Sequence, residues 1–573
     1  MRLDALLPST SFIAFPARGI RKPEVRWANP QLATDFPFLE HAWCSPLNGD
    51  SPEAYDDRQV QLLAERYGGH GLGGNGGGAR CGVIGEIQIK GVGRNQLAAP
   101  DTDFFHSYGG ASINEGVYES LWGEILNRAL PHGAVRVIGL VATGTRVPLV
   151  APLPGQDPTT ERALIFRQAA IRPAHFMRSA YHRPPVNSGW CDDTSRTRAA
   201  IAALPAVFSA LYCLPSMNES SDVFIHRCMS IMLERFADQF ASARAKRLMH
   251  GSLIASNIAL DGRWLDFATT SAVPDFGHIV SPRGPDFLQE ELMLQPGIAD
   301  LAFYLRKYLK TERHALFDGT ELWQRLHIRL KQRLPLEYAK LTGIPADVCA
   351  SLPLQTDHLY TVIEAITRRG NGKVYLMMSD SSEAARKTPV RTGDHSLNAI
   401  MRKAAFSTTP AETDAALQTE LDDAKLRARF VQAYWSVRYE AERLLAVRGS
   451  YGPIFCMLNA ARLNANNHFL YRPQLYHDIE QALLTGVSAA RLIESTVQRG
   501  ISLLEDDTAG WADLREILGE GFAVCVKDGL LYRQQPLSSL SLPRSGAVQL
   551  TLTEQNIIQQ YEAKIANSSR AYG

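Results

Sequence analysis

Two hydrophobic periodicities divide the chain. Between residues 61 and 198 the apolar positions fall in short segments that alternate with polar ones, from CGVIGEIQIK (81–90) to ERALIFRQAAIR (161–172). Alternation of period two predicts half-buried strands, with one helix between them. From about residue 199 the spacing lengthens, and Leu233, Phe236, Phe240 and Ala243 recur every three or four positions on one helical face. A second long helix is predicted over LDDAKLRARFVQAYWSVRYEAERLLAVRG, with Leu426, Phe430, Tyr434, Val437 and Leu444 as its stripe and Gly449 as its stop.

These patterns predict an α+β organisation in five parts. Residues 1–60, with interleaved prolines and aromatics, read as a loop-rich arm packed on a larger body. A compact sheet-bearing lobe follows over 61–198, then a mainly helical lobe over 199–380. A polar, Ser- and Thr-rich linker is expected over 381–418 and a helical extension over 419–573.

Sixty basic against fifty-nine acidic residues leave a net charge of +1, which excludes a chain built to coat nucleic acid or an anionic membrane. No window approaches a membrane span, so a cytoplasmic protein is expected. The eight cysteines form no C-x-x-C pair and read as scattered buried thiols.

Candidate chemistry begins in YGGHGLGGNGGGARCGVIGEIQIK, where ten glycines fall between Tyr67 and Gly85. Positions without side chains let backbone N–H groups approach an anion, so this stretch reads as a phosphate cradle or, more plainly, as a surface loop. Alternation places Val83, Gly85, Ile87 and Ile89 on one face and Glu86, Gln88 and Lys90 on the other. In kinase-like folds a strand lysine after a glycine loop holds nucleotide phosphates and is held by a helix glutamate. INEGVYESLWGEIL offers Glu119 beside Trp122 and Leu126, with Glu115 and Glu124 as alternatives, behind a capping box at Ser112 and Glu115. Arg167 and Arg172 supply guanidinium groups suited to phosphate oxygens.

In LMHGSLIASNIALDGRWLDFATT an Asp261-Gly262 turn folds Asn257–Leu260 against Arg263–Phe267. Asn257 and Asp266 are thereby expected together, an amide and a carboxylate oxygen suited to a hard cation such as Mg²⁺.

The order of these parts resembles the selenoprotein O family of kinase-like protein adenylyltransferases, through most of the chain. YGGHGLGG is similar to that family's YGGHQFG, IQIKGVGRN to its LQLKGxGRT, and INEGVYESLWGEIL to its SSIREFLxSEAL. FRQAAIRPAHF is similar to a family segment two residues longer, and HGSLIASNIALDGRWLDFA to its HGVxNTDNMS and DYGP block. LQPGIADLAFYL and NANNHFLYRPQLYHDIEQAL resemble later family segments.

The resemblance implies a two-lobed protein-kinase-like fold that binds ATP with Mg²⁺ or Mn²⁺. It pairs Lys90 with Glu119, assigns Asn257 and Asp266 to the metal, and assigns Arg167 and Arg172 to phosphate. Gly77 and Arg80 match the end of the family's glycine loop, and Gly109 a second nucleotide-contacting glycine. The implied reaction moves AMP to a Ser, Thr or Tyr hydroxyl of a protein or peptide.

One part of the pattern departs from the family. The catalytic aspartate of kinase-like enzymes falls in one of two registers, at Ser252 or at Ser256, and both are serine. A hydroxyl does not accept a proton near neutral pH, which puts a rate term of about 10²–10⁴ in question. The family's GDG is here Tyr108-Gly109-Gly110. A slow or specialised adenylyltransferase is the leading expectation; a phosphotransferase for a small molecule or peptide, and a nucleotide-binding pseudoenzyme acting through a partner, are the alternatives.

Overall fold

The computed structural model of the chain describes residues 2–71, 73–100, 108–149, 157–185, 188–189, 192–215, 219–276, 278–280, 285–309, 311–369, 374–376, 396–448, 453–506, 511–513, 523–527 and 530–534. It is a mixed α/β structure built on an eight-stranded antiparallel sheet. The strands are β1 (Phe12–Ile20), β2 (Glu24–Ala28), β3 (Trp43–Cys44), β4 (Tyr55–Glu65), β5 (Cys81–Ile84), β6 (Ile87–Lys90), β7 (Val137–Pro148) and β8 (Thr159–Gln168), in the order β2-β7-β8-β6-β5-β4-β1-β3.

The segment expected to be a loop-rich arm therefore supplies three strands and begins a fourth. Its prolines do not prevent this: Pro16 sits within β1, beside a partner strand and near the sheet's short outer strand. The intervening turn brings Phe38 onto Phe166 of β8, with ring centroids 5.3 Å apart, and closes one apolar face of the sheet.

The single alternating strand expected over 83–89 is instead a hairpin. Ile84 pairs with Ile87 across Gly85-Glu86, and Gly85 takes φ +58°. The turn resets the alternation, so Val83 lies directly opposite Gln88 and shares its face, while Ile89 joins the opposite core. Lys90 is opposite Cys81 and faces the helix α1 (Ile113–Ala129) with Gln88.

Helix α1 is buried almost all round, between the sheet and the helical body. Its expected stripe of Ile113, Val117, Leu121 and Ile125 is buried, and so are Tyr118, Glu119 and Trp122. In the helical body α2 (Asp193–Tyr212) packs on α3 (Ser221–Ala245), the latter burying Leu233, Phe236, Phe240 and Ala243 as expected. Helix α4 (Gln295–Tyr308) follows, and further helices continue to Leu504.

Part of the expected linker is ordered. Residues 397–406 and 410–416 are helices that bury Leu397, Ile400 and Met401, a one-sided stripe hidden by the surrounding polar composition. Its remainder, 381–395, lies outside the described residues. The helix Ala424–Arg448 buries Leu426, Phe430, Tyr434 and Val437, and Leu444 is partly buried; Gly449 lies outside the described residues. The extension is not wholly helical, because Trp511–Asp513, Ala523–Lys527 and Leu530–Gln534 form an antiparallel sheet.

The extension braces the centre of the molecule. Helix Ala489–Leu504 packs on α1 through Gly500, where an added Cβ would stand 2.6 Å from Ile125. Arg472 donates from Nε to the Ala268 carbonyl at 2.8 Å and from its backbone to Ser271 Oγ at 2.9 Å.

Candidate functional site

The residues named from the sequence converge where β6, α1 and the Asp261-Gly262 hairpin meet. Lys90 Nζ pairs with Glu119 Oε1 and lies 2.9 Å from Asp266 Oδ1 and 3.0 Å from Glu115 Oε1. Lys90 is therefore a buried lysine and not a solvated surface one. Side-chain exposure is 2% for Lys90, 1% for Glu119 and 33% for Asp266, so Asp266 is where this cluster meets solvent. Burial disfavours each charge, and the cluster overcomes it through mutual attraction. Against that burial, Asp266, Glu119 and Glu115 hold the Lys90 ammonium protonated well above its usual range. Likewise Lys90, Arg167 and Arg80 hold the Asp266 carboxyl well below the usual carboxylate range.

Glu115 serves as more than a cap. Its backbone N–H meets Ser112 Oγ at 3.1 Å, while its carboxylate takes a forked pair of bonds from Arg80 at 2.7 and 3.2 Å. Arg80 and Lys90 outweigh burial and bring its carboxyl down to about 2. Glu124, the other alternative, is engaged elsewhere, 2.6 Å from Arg136 Nη2.

The two arginines are buried and share one glutamine. Arg167 Nε donates to Gln88 Oε1 at 2.6 Å and its Nη1 reaches Glu119 at 3.4 Å. Arg172 donates to Gln88 at 3.4 Å, to Tyr67 Oη at 3.1 Å and to the Ser256 carbonyl at 3.0 Å. Gln88 in turn donates to the fully buried Glu65, whose other oxygen lies 3.3 Å from His175 Nε2. Gln88 was legible, two positions from Lys90 on one strand face. Glu65 and His175 carry no such signal, since only tertiary packing brings them behind the arginines.

The glycine stretch is not a free cradle of amides. The N–H groups of Gly68, Gly69, Gly76 and Gly78 donate to the carbonyls of Ala174, Arg178, Leu97 and Glu65. Gly77 and Gly109 are needed for close backbone approach: at φ +143° and +91°, an added Cβ would stand 2.1 Å from Glu65 O and from Arg94 N.

The hairpin forms as expected, with Ala259 N donating to Arg263 O at 2.8 Å and Leu265 N to Asn257 O at 3.1 Å. Asn257 and Asp266 thus lie at the same end of it. Asn257 donates its amide to the Ser252 carbonyl at 2.8 Å, which turns Oδ1 toward Ser256 Oγ at 3.3 Å. Its oxygen and the solvent-facing Asp266 carboxylate fit a hard cation delivered with a nucleotide. Among the described residues no group of three His, Cys, Asp or Glu side chains stands ready to hold a metal unaided.

Neither serine register gains a carboxylate, since among the described residues no Asp or Glu side chain hydrogen-bonds to Ser252 or Ser256. His250 supplies no base either. Burial lowers its ring to about 4, its Nε2 lies 3.0 Å from the Leu265 carbonyl, and its Nδ1 faces Ser252 N at 3.4 Å. Behind the loop, Glu290 accepts from Gly251 N at 2.5 Å and His250 N at 3.2 Å, a buried positioning group the sequence did not reveal.

No family model matches the chain, and no curated protein matches it. Among the described residues no helix is long and apolar enough to cross a membrane.

Proposed function

We propose that the chain is a kinase-like ATP-dependent adenylyltransferase of the selenoprotein O type, transferring AMP to a protein or peptide hydroxyl. The observation that carries this reading is the Lys90 cluster, in which a strand lysine meets a helix glutamate and the aspartate that follows the hairpin. That combination ties the antiparallel sheet to the Asp261-Gly262 hairpin through buried charge, which supports a two-lobed kinase-like reading.

In this reading Lys90, Arg167, Arg172 and Arg80 bind and neutralise the phosphates of ATP. Glu119 orients Lys90, and Gln88 holds both Arg167 and Arg172. Gly77 and Gly109 let the backbone close around the nucleotide. Asn257 and Asp266 would hold Mg²⁺ or Mn²⁺, which supplies charge stabilisation to the phosphates when bound. Because positioning and electrostatics dominate this chemistry, serine at positions 252 and 256 lowers the rate without removing its basis. The setting is cytoplasmic, with neither nucleic acid nor membrane as partner.

The test is incubation of the purified chain and Mg²⁺ with α-labelled and, separately, γ-labelled ATP. Protein-bound label from the α position alone supports AMP transfer. Label from γ alone replaces it with a phosphotransferase, and label from neither, with ATP bound, leaves a nucleotide-binding pseudoenzyme.

A further inference from the structure

The proposed reaction lacks a proton acceptor at both serine registers, yet an acceptor of a different kind flanks the Ile254-Ala255 segment between them. His70, in the glycine stretch, places Nδ1 2.6 Å from Asp300 Oδ2 on α4. The pair spans the two halves of the molecule, 230 residues apart in sequence. Its partners are both accessible, with side-chain exposures of 60% and 29%.

Their neighbours fix where the pair sits. Gly71, the next residue, lies against Ile254: an added Cβ would stand 2.5 Å from Ile254 Cδ1. Gly68 N donates to Ala174 O at 3.0 Å, and Ala174 N donates to Ala255 O at 3.2 Å. From the other side Gly297, one turn before Asp300 on α4, packs on Ala255, where an added Cβ would stand 2.8 Å from the alanine Cβ. His70 and Asp300 thus converge on the segment between Ser252 and Ser256 from two directions.

With Nδ1 engaged by Asp300, the second ring nitrogen, Nε2, is the one left to meet a substrate hydroxyl. Tyr304, one turn farther along α4, is among the groups that feel the Asp300 charge, together with that of Arg178. Imidazole oriented by a carboxylate is a competent general base, and the His70 ring is open to solvent.

We infer that the His70–Asp300 pair is the general base of this site, replacing the aspartate absent from positions 252 and 256; this rests on the adenylyltransferase reading above. The substrate oxygen forms a bond to the α-phosphorus of ATP as the bond from that phosphorus to the bridging oxygen breaks. Pyrophosphate leaves with the electron pair. The hydroxyl proton passes to His70 Nε2, the imidazolium is stabilised by Asp300, and the proton is then released to water.

The experiment follows α-label transfer at saturating Mg-ATP, with the chain itself and a mixture of Ser-, Thr- and Tyr-containing peptides as acceptors. His70→Ala should lower transfer by about 10²–10⁴-fold. Its calorimetric affinity for Mg-ATP should stay within about twofold, since the pair binds no phosphate. Added imidazole should restore part of the lost rate in His70→Ala and do nothing for the unmodified chain. Asp300→Asn should lose less than His70→Ala and gain nothing from imidazole. His70 is exposed and Asp300 partly so, and urea midpoints of both variants should match that of the unmodified chain. Wild-type transfer rates in His70→Ala, a loss that imidazole does not restore, or a loss explained by weaker ATP binding would each overturn the assignment. Absence of α-label transfer by the unmodified chain would overturn the adenylyltransferase reading and this assignment with it, an outcome distinct from active protein indifferent to His70.

Discussion

Lys90 and Asp266, 176 residues apart, meet at 2.9 Å between Nζ and Oδ1, and this bond ties the last residue of β6 to the end of the Asp261-Gly262 hairpin. It unites the two halves of the molecule at the one carboxylate of the cluster that is substantially open to solvent. Under the proposed function, binding and stability therefore depend on the same ammonium in different ways.

Substitution of Lys90 by Met leaves the buried Glu119 with the longer 3.4 Å contact to Arg167 in place of its lysine and should destabilise the fold by about 3 kcal/mol. Asp266→Asn should cost on the order of 1 kcal/mol, because that carboxylate is one-third exposed. Urea denaturation of the two variants measures the difference, and a Lys90→Met, Glu119→Met double variant should recover much of the loss. Equal effects of the two single substitutions would contradict the burial argument.

Calorimetry should show Mg-ATP affinity falling in both Lys90→Ala and Asp266→Ala, by about tenfold or more for each charged contact removed. Unchanged affinity in both variants would remove the nucleotide from this site.

A carboxylate restored at Ser256 should raise α-label transfer more than one restored at Ser252. Ser256 precedes Asn257, and its carbonyl is already held by Arg172 at 3.0 Å, so a cation lies close to the added charge. The gain should be larger when His70 is Ala, because the new carboxylate then has no competing base. Turnover at saturating ATP is the quantity to compare, since added negative charge also weakens nucleotide binding. Gain of γ-phosphate transfer by Ser252→Asp alone would favour the phosphotransferase.

Burial pushes the Glu290 carboxyl up to about 7 from 4.5, against the pull of the Gly251 and His250 N–H groups. Its folded value exceeds its unfolded one, so the stability linked to this proton is fully present below about pH 4.5 and is lost as pH rises through about 7. Across that window the loss is about 3 kcal/mol. Glu290→Gln carries no such proton, and its stability should fall less between pH 5 and pH 8 than that of the unmodified chain. Parallel urea midpoints at the two pH values would refute the assignment.

Arg472→Ala removes the bond to the Ala268 carbonyl and the packing of the guanidinium on Tyr476, 5.0 Å away. A loss of about 1–2 kcal/mol is expected, together with weaker Mg-ATP binding, because the segment after Asp266 loses its brace. Stability loss with unchanged ATP affinity would make Arg472 structural alone.

The sequence by itself determined the elements whose signals are local. Strict spacing announced α3, Ser112 announced the start of α1, and an Asp-Gly pair flanked by apolar residues announced the hairpin that sets Asp266. Lys90 and Glu119 were legible because a strand face and a helix flank each have a short period. Tertiary structure decided what periodicity cannot carry. Whether β5 and β6 were one strand or two turned on a two-residue loop at Gly85. The proline-rich first sixty residues became sheet because their strands found partners, β1 on β4 and β2 on β7 more than a hundred residues along the chain. The amides of the glycine stretch were committed to distant carbonyls, so composition overstated their freedom. Glu65 and His175 behind the arginines, Glu290 behind the loop and Asp300 opposite His70 share no sequence pattern. Each is placed by long-range packing, and the desolvation that makes a buried charge consequential exists only once that packing has formed.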